Sequence, residues 1–151
     1  MKAIQMLGFI TNLISPTKNI IGFEDVVFSI KNHSAILINT LSIIEQTCLI
    51  CTTIPYDKED IIMNQMIENN QLNNRILLYG KNTTDESVDK KYKQLLSLGF
   101  TQVYIYTGGM FEWLLLQDIY GTTEFPTTMK CKDLLLYRPL RMFSHLPQIT
   151  L

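Results

Sequence analysis

The chain has 151 residues, of which 46% are hydrophobic and 18% charged. That is the make-up of one folded domain with room for a core, and it excludes an intrinsically disordered chain. Thirteen basic and 14 acidic residues leave a net charge of −1, so nothing draws the chain globally to nucleic acid or anionic lipid. No apolar run approaches the roughly 20 residues that cross a bilayer, so a membrane is not an expected partner either.

In chain order, Ile4, Leu7, Ile10 and Ile14 fall at helical spacing. A single lysine, polar interruptions at Gln5, Thr11 and Asn12, and the lack of a small-x-small pattern before Ser15-Pro16 argue against a signal peptide. Residues 1–18 therefore read as an apolar cap, and Ile20-Ile21 opens a domain over residues 19–121. Phe23, Val26, Val27 and Ile30 share a helical face, with Glu24 and Asp25 in the first turn. Ala35-Ile36-Leu37-Ile38, closed by Asn39, reads as a buried strand, and residues 41–53 as irregular. The acidic cluster Asp57-Lys58-Glu59-Asp60 is expected to cap a helix through Ile67, ending at Asn69-Asn70-Gln71.

Ile76-Leu77-Leu78-Tyr79 is a second buried strand, followed by the loop Gly80-Lys81-Asn82-Thr83-Thr84-Asp85. Thr83-x-x-Glu86 has capping-box spacing, ahead of a helix striped by Val88, Tyr92, Leu95 and Leu96 and ended by Gly99. Val103-Tyr104-Ile105-Tyr106 is a third strand, and Gly108-Gly109 turns into a helix over residues 110–117. Strands alternating with helices at this spacing predict a mostly parallel sheet with right-handed crossovers. In the tail, residues 122–151, the run 130–138 fits one helix, and Pro139 and Pro147 make the remainder irregular.

A loop that ends at a helix N-terminus gathers unpaired backbone N–H groups and the positive end of the helix dipole. Gly80, Lys81, Asn82, Thr83, Thr84 and Asp85 are therefore a candidate anion-binding nest, with Lys81, Thr83 and Thr84 adding donors and Asp85 opposing a strongly anionic ligand. The alternative is that Thr83 and Glu86 only cap the helix and the polar residues are solvated.

The strand, the loop at Gly80, the helix, Leu98-Gly99-Phe100, the strand Gln102-Val103-Tyr104-Ile105-Tyr106, then Gly108-Gly109 and Trp113 resemble in order and spacing the C-terminal half of a rhodanese domain. Upstream, residues 23–30 and Ala35-Ile36-Leu37-Ile38 are similar to that family's first helix and second strand. The resemblance spans residues 19–118 and implies a three-layer α/β/α sandwich around a mostly parallel sheet, with Trp113 in the core. It also implies a loop cysteine that accepts sulfane sulfur, and Gly80 stands in its place. The Asp and Arg that follow the family's second strand are replaced by Asn39-Thr40-Leu41. A thiolate is the nucleophile of that chemistry, so the expectation is a catalytically inactive member acting as a protein-binding or scaffold module, without a cofactor. Chains of this isoleucine- and asparagine-rich composition with such a degenerate loop resemble those of large DNA viruses and AT-rich protists, which implies a virus-associated setting.

Cys48-Leu49-Ile50-Cys51 is a CxxC with apolar middle residues and no helix after it, so two structural cysteines are expected. The competing reading is a thiol-dependent enzyme whose nucleophile has moved to Cys48 or Cys51. No metal is expected, because Cys131, His33 and His145 are scattered and have no paired spacing. Three cysteines without an export signal fit a reducing compartment, the cytoplasm of a cell or host, or a virion. Leu114-Leu115-Leu116 cannot all be buried by one helix face, so the tail or a partner covers the remainder. Leu115, Leu116, Tyr137, Met142 and Phe143 are the candidate surface for a protein partner or a second copy. Folding of the tail over its own domain is the alternative.

Overall fold

Strands in the computed structural model are short, apolar and parallel, and the model describes residues 17–150. The apolar stripe of Ile4, Leu7, Ile10 and Ile14 lies outside the described residues. In chain order the elements are β1 (Ile20–Ile21), α1 (Phe23–Asn32), β2 (Ile36–Asn39), α2 (Tyr56–Glu68), β3 (Ile76–Tyr79), α3 (Ser87–Ser97), β4 (Val103–Tyr106) and α4 (Gly109–Tyr120).

One sheet runs in the order β1-β4-β3-β2, with every pairing parallel. Ile36 to Asn39 pair with Ile76 to Tyr79, which pair in turn with Val103 to Tyr106. All four residues of β3 are buried, as a central parallel strand covered on both faces requires. The two-residue β1 is held at the edge by Asn19, whose carbonyl accepts from Ile105 N–H (2.8 Å) while its Nδ2 donates to the Val103 carbonyl (3.1 Å).

Alternate strand residues point to opposite faces and build two cores. On one face Leu37, Leu77, Tyr79 and Tyr106 pack with Val26 of α1 and with Met110, Trp113 and Leu114 of α4. On the other, Ile38, Ile76, Leu78 and Ile105 pack with Met63 and Met66 of α2 and with Val88, Tyr92 and Leu95 of α3. This is the expected three-layer α/β/α sandwich. Trp113 is fully buried, meets Tyr106 and Phe125 edge to face, and donates from Nε1 to the Pro126 carbonyl (3.2 Å).

Three local expectations are corrected. The acidic cluster does not cap α2: the helix starts at Tyr56 behind Pro55, which leaves Asp57 and Glu59 inside the first turn. The Thr83/Glu86 capping box does not form, because Asp85 accepts from the Ser87 N–H (3.0 Å) and α3 starts at Ser87. Residues 130–138 do not form one helix but a single 3₁₀ turn, Leu134–Tyr137. Asp133 is extended and accepts from Leu135 N–H (3.0 Å), and Pro139 pushes Arg138 out of the helical region to ψ 152°.

The first half of the tail folds back as a strap over α4 and the α1 side of the sheet. It adds Phe125 and Tyr137 to the core and leaves Leu116 half-buried against them.

Candidate functional site

β3 and β4 are neighbours whose outgoing connections leave toward opposite faces of the sheet, β3 into α3 and β4 into α4. A crevice at the C-terminal ends of two such strands is where open α/β sheets bind ligands. Here it is closed by backbone. Gly109 has φ +61°, and a Cβ there would lie 2.5 Å from the Gly80 carbonyl oxygen and 3.0 Å from Asn82 N. That close approach lets the Met110 N–H donate to the Gly80 carbonyl and the Phe111 N–H to the Lys81 carbonyl, both at 3.0 Å. Two donors at the start of α4 are thus spent on the loop itself.

Gly80 is buried, and the space around it is full. A Cβ at this position would lie 2.4 Å from Asp85 Oδ2, 2.5 Å from Val88 Cγ2 and 2.9 Å from Thr40 Oγ1. The Asp85 carboxylate occupies the place where an anion would sit. Its Oδ2 accepts from the Lys81 N–H at 2.8 Å, and its Oδ1 accepts from the Ser87 N–H at 3.0 Å and the Ser87 hydroxyl at 2.5 Å. Asn82, also buried, accepts at Oδ1 from the Thr84 N–H (3.0 Å) and hydroxyl (2.8 Å). Its Nδ2 donates to the carbonyl of Tyr137 in the strap at 2.9 Å.

The one lysine of the loop is also engaged. Lys81 forms an ion pair with Glu45, whose carboxylate further accepts from the Ser42 hydroxyl (2.9 Å) and N–H (3.2 Å). Burial pushes the Glu45 carboxyl up, but hydrogen bonds from Lys81 and Ser42 outweigh it and hold the group below the usual glutamate value. The Tyr137 hydroxyl donates to the Glu45 carbonyl at 3.0 Å, so the strap ties both sides of the loop together.

Asn39, at the end of β2, is buried; its Oδ1 accepts from the Leu41 N–H at 3.0 Å and its Nδ2 has no partner among the described residues. Two open clefts flank the loop. One, of about 640 Å³, is lined by Thr40, Glu45, Lys81, Ser87 and Arg138, and the other, of about 440 Å³, by Lys18, Thr83, Asp89 and Thr107.

No family model matches the chain, and no curated protein matches it. Solved structures do. A full-length protein from Lactobacillus plantarum aligns over 85% of this chain and 98% of its own, at 16% identity and a TM-score of 0.55. The rhodanese-like domain of a protein from Anabaena, solved by NMR, aligns over 89% of this chain and 100% of its own, at 16% identity and a TM-score of 0.50. A crystal structure of that Anabaena protein aligns over 71% of this chain and 89% of its own, with the same identity and score.

The fold is rhodanese-like.

Within this rhodanese-like fold, the six residues Gly80 to Asp85 come together as one loop, but much of their hydrogen-bonding capacity is satisfied inside the chain. The two cysteines of the CxxC lie elsewhere, and neither lines the clefts beside the loop. Cys48 is buried and donates to the Met129 carbonyl at 3.2 Å, and burial, with Cys131 adding to it, pushes its thiol up to about 11. Cys51 is half-buried and pairs through its N–H with the Pro126 carbonyl at 3.0 Å.

Of the candidate partner surface, Met142 and Phe143 are 78% and 82% exposed, Leu115 is partly exposed, and Leu116 is half-buried. Tyr137 is a correction: it is fully buried, its ring in the core, and has no surface to offer a partner. Among the described residues no group of three or more His, Cys, Asp and Glu side chains is placed to hold a metal. Among the described residues no helix is long and apolar enough to cross a membrane.

Sequence reasoning missed the roles of Asp85, Glu45 and the strap. A signal for the first was present. Asn82-Thr83-Thr84 and Asp85-Glu86-Ser87 are consecutive Asx turns, in which an Asn or Asp side chain takes the N–H two residues on. Two such turns in succession satisfy a loop from within.

Proposed function

We propose that this chain is a catalytically inactive rhodanese-like domain that works as a protein-binding or scaffold module. The observation that carries the proposal is the filled space at Gly80. Sulfur transfer of the rhodanese type needs a thiolate at the head of the loop and donors facing it. Position 80 has no side chain, one placed there would have to displace Asp85, Val88 and Thr40, and the Asp85 carboxylate takes the Lys81 and Ser87 N–H groups. The protein-contact half of the reading rests on the end of the tail, where Leu140, Met142, Phe143 and Ile149 are each more than three-quarters exposed. The partner is a protein or a second copy of the chain. A reducing compartment, and the virus-associated setting drawn from composition, belong to this reading.

The test is sulfur transfer from thiosulfate to cyanide. The expected result is no thiocyanate above the rate without protein. Turnover that disappears in Cys48→Ser or Cys51→Ser would replace the scaffold with an enzyme whose nucleophile has moved.

A further inference from the structure

Residues 49–51 run antiparallel to residues 126–128 of the strap. The Leu49 N–H donates to Thr128 Oγ1 (3.0 Å), the Thr128 N–H to the Leu49 carbonyl (2.8 Å) and the Cys51 N–H to the Pro126 carbonyl (3.0 Å), with Ile50 bridging Thr127. Continuing this register brings Cys48 opposite Met129, where its thiol meets the Met129 carbonyl at 3.2 Å. Cys131 follows two residues later and packs against the same core cluster that holds Cys48. The Cys131 thiol also pushes that of Cys48 up further after burial has done so. Cys51 stands at odd spacing from Cys48 and is not among the groups that act on its thiol.

We propose that Cys48 and Cys131 are a thiol pair that closes to a reversible disulfide and staples the strap to the domain. The co-reactant is a low-molecular-weight disulfide of the glutathione type. Cys131 is half-buried and lines an open cleft of about 780 Å³, so it is the sulfur a reagent reaches, while Cys48 lies behind it. The Cys131 thiol loses its proton and attacks one reagent sulfur, breaking the reagent S–S bond and releasing one thiolate. The Cys48 thiol then gives its proton to solvent and attacks the Cys131 sulfur, breaking the mixed disulfide and releasing the second thiolate. The two cysteines lose two protons and two electrons, and the reagent leaves as two thiols once protonated.

The consequence reaches the Gly80 loop. Tyr137, six residues beyond Cys131, holds Asn82 through its carbonyl and Glu45 through its hydroxyl. Fixing Cys131 to Cys48 fixes the segment that seals the loop.

The experiment treats the full chain with oxidised glutathione under native conditions at low protein concentration, followed by peptide mapping without reduction. The expected product is a peptide joining Cys48 to Cys131, with Cys51 remaining a free thiol. Cys51→Ser forms the same link and Cys131→Ser forms none. The oxidised protein melts on the order of 5 °C higher, and dithiothreitol reverses the shift. The proposal is overturned if all three thiols survive, if Cys51 is the one joined, if the product is a dimer, or if a Cys48–Cys131 link lowers the melting temperature. The map of the unsubstituted chain decides this even if a variant does not fold.

Discussion

A methyl group at position 80 would stand 2.4 Å from a carboxylate oxygen and 2.5 Å from a valine methyl, so any side chain there must push its neighbours aside. Gly80→Cys is therefore expected to lower stability by about 1–3 kcal/mol, as overpacking does, and to form no persulfide when treated with thiosulfate. Urea denaturation and intact mass check the two halves, and a stable variant that takes up sulfur would show the loop to be adaptable. Asp85 supports the opposite substitution. Asp85→Ala strips the loop of its internal anion and is expected to cost about 1–3 kcal/mol, since the Lys81 and Ser87 donors lose their acceptor. If the donors then form a nest, sulfate should raise the melting temperature of this variant more than that of the unsubstituted chain; equal shifts would mean that the loop collapses. Glu45 gives a pH prediction. Its folded carboxyl lies below the usual glutamate value, so its stabilisation is present above that value and is lost as pH falls through the folded one. Between about pH 5 and about pH 3 the unsubstituted chain should lose more stability than Glu45→Gln, read from urea midpoints. Equal losses would remove the Lys81 pair from the account.

At the scale of elements, legibility follows from what fixes each segment. β2, β3 and β4 are runs of four residues whose burial on both faces demands apolar side chains, broken only by Asn39 at the end of β2, and composition announces that demand. α3 announces itself by the spacing of Val88, Tyr92 and Leu95. Its start was not legible as drawn, because Thr83 with Glu86 and Asp85 with Ser87 are competing local schemes, and the fit of Asp85 beneath Lys81 decides between them. The strap was less legible still. Leu134, Leu135 and Leu136 beside lysines look helical, yet the path of the strap is set by hydrogen bonds between residues 126 and 128 and residues 49 and 51 and by Tyr137 reaching the loop, all distant in sequence. It follows that the strap is structural. Tyr137→Phe should cost about 1 kcal/mol through its lost hydrogen bond, and Tyr137→Ala about 3–5 kcal/mol through a cavity in the core. Tryptophan fluorescence follows both, since Trp113 packs in the same cluster. An alanine variant as stable as the parent would mean that the strap is not docked there.

The molecule as a whole divides its apolar surface unevenly. Among the described residues both cores are built from side chains no later than Tyr137, whereas Leu140, Met142, Phe143, Leu146 and Ile149 in the last stretch are 58–89% exposed. These side chains follow Pro139 and surround one short 3₁₀ turn, Phe143–His145, so they add little to the domain's own packing. The fold could be read from the alternation of strands and helices, but the use of this arm could not, because Tyr137 and Phe143 look alike in sequence and only tertiary contacts separate the core residue from the exposed one. Removing side chains this exposed should not unfold the domain. Met142→Ser with Phe143→Ser is therefore expected to leave the melting temperature within about 1–2 °C of the parent, as surface substitutions do. If the arm serves self-association, light scattering of the parent will show a mass that rises with concentration, and the double variant will hold the mass of one chain. If it serves a different protein, parent and variant will both remain single chains, and the variant will be the one that fails to bind that partner. A melting temperature that falls by many degrees in the double variant would instead place the arm on its own domain and take away the surface on which the scaffold reading depends.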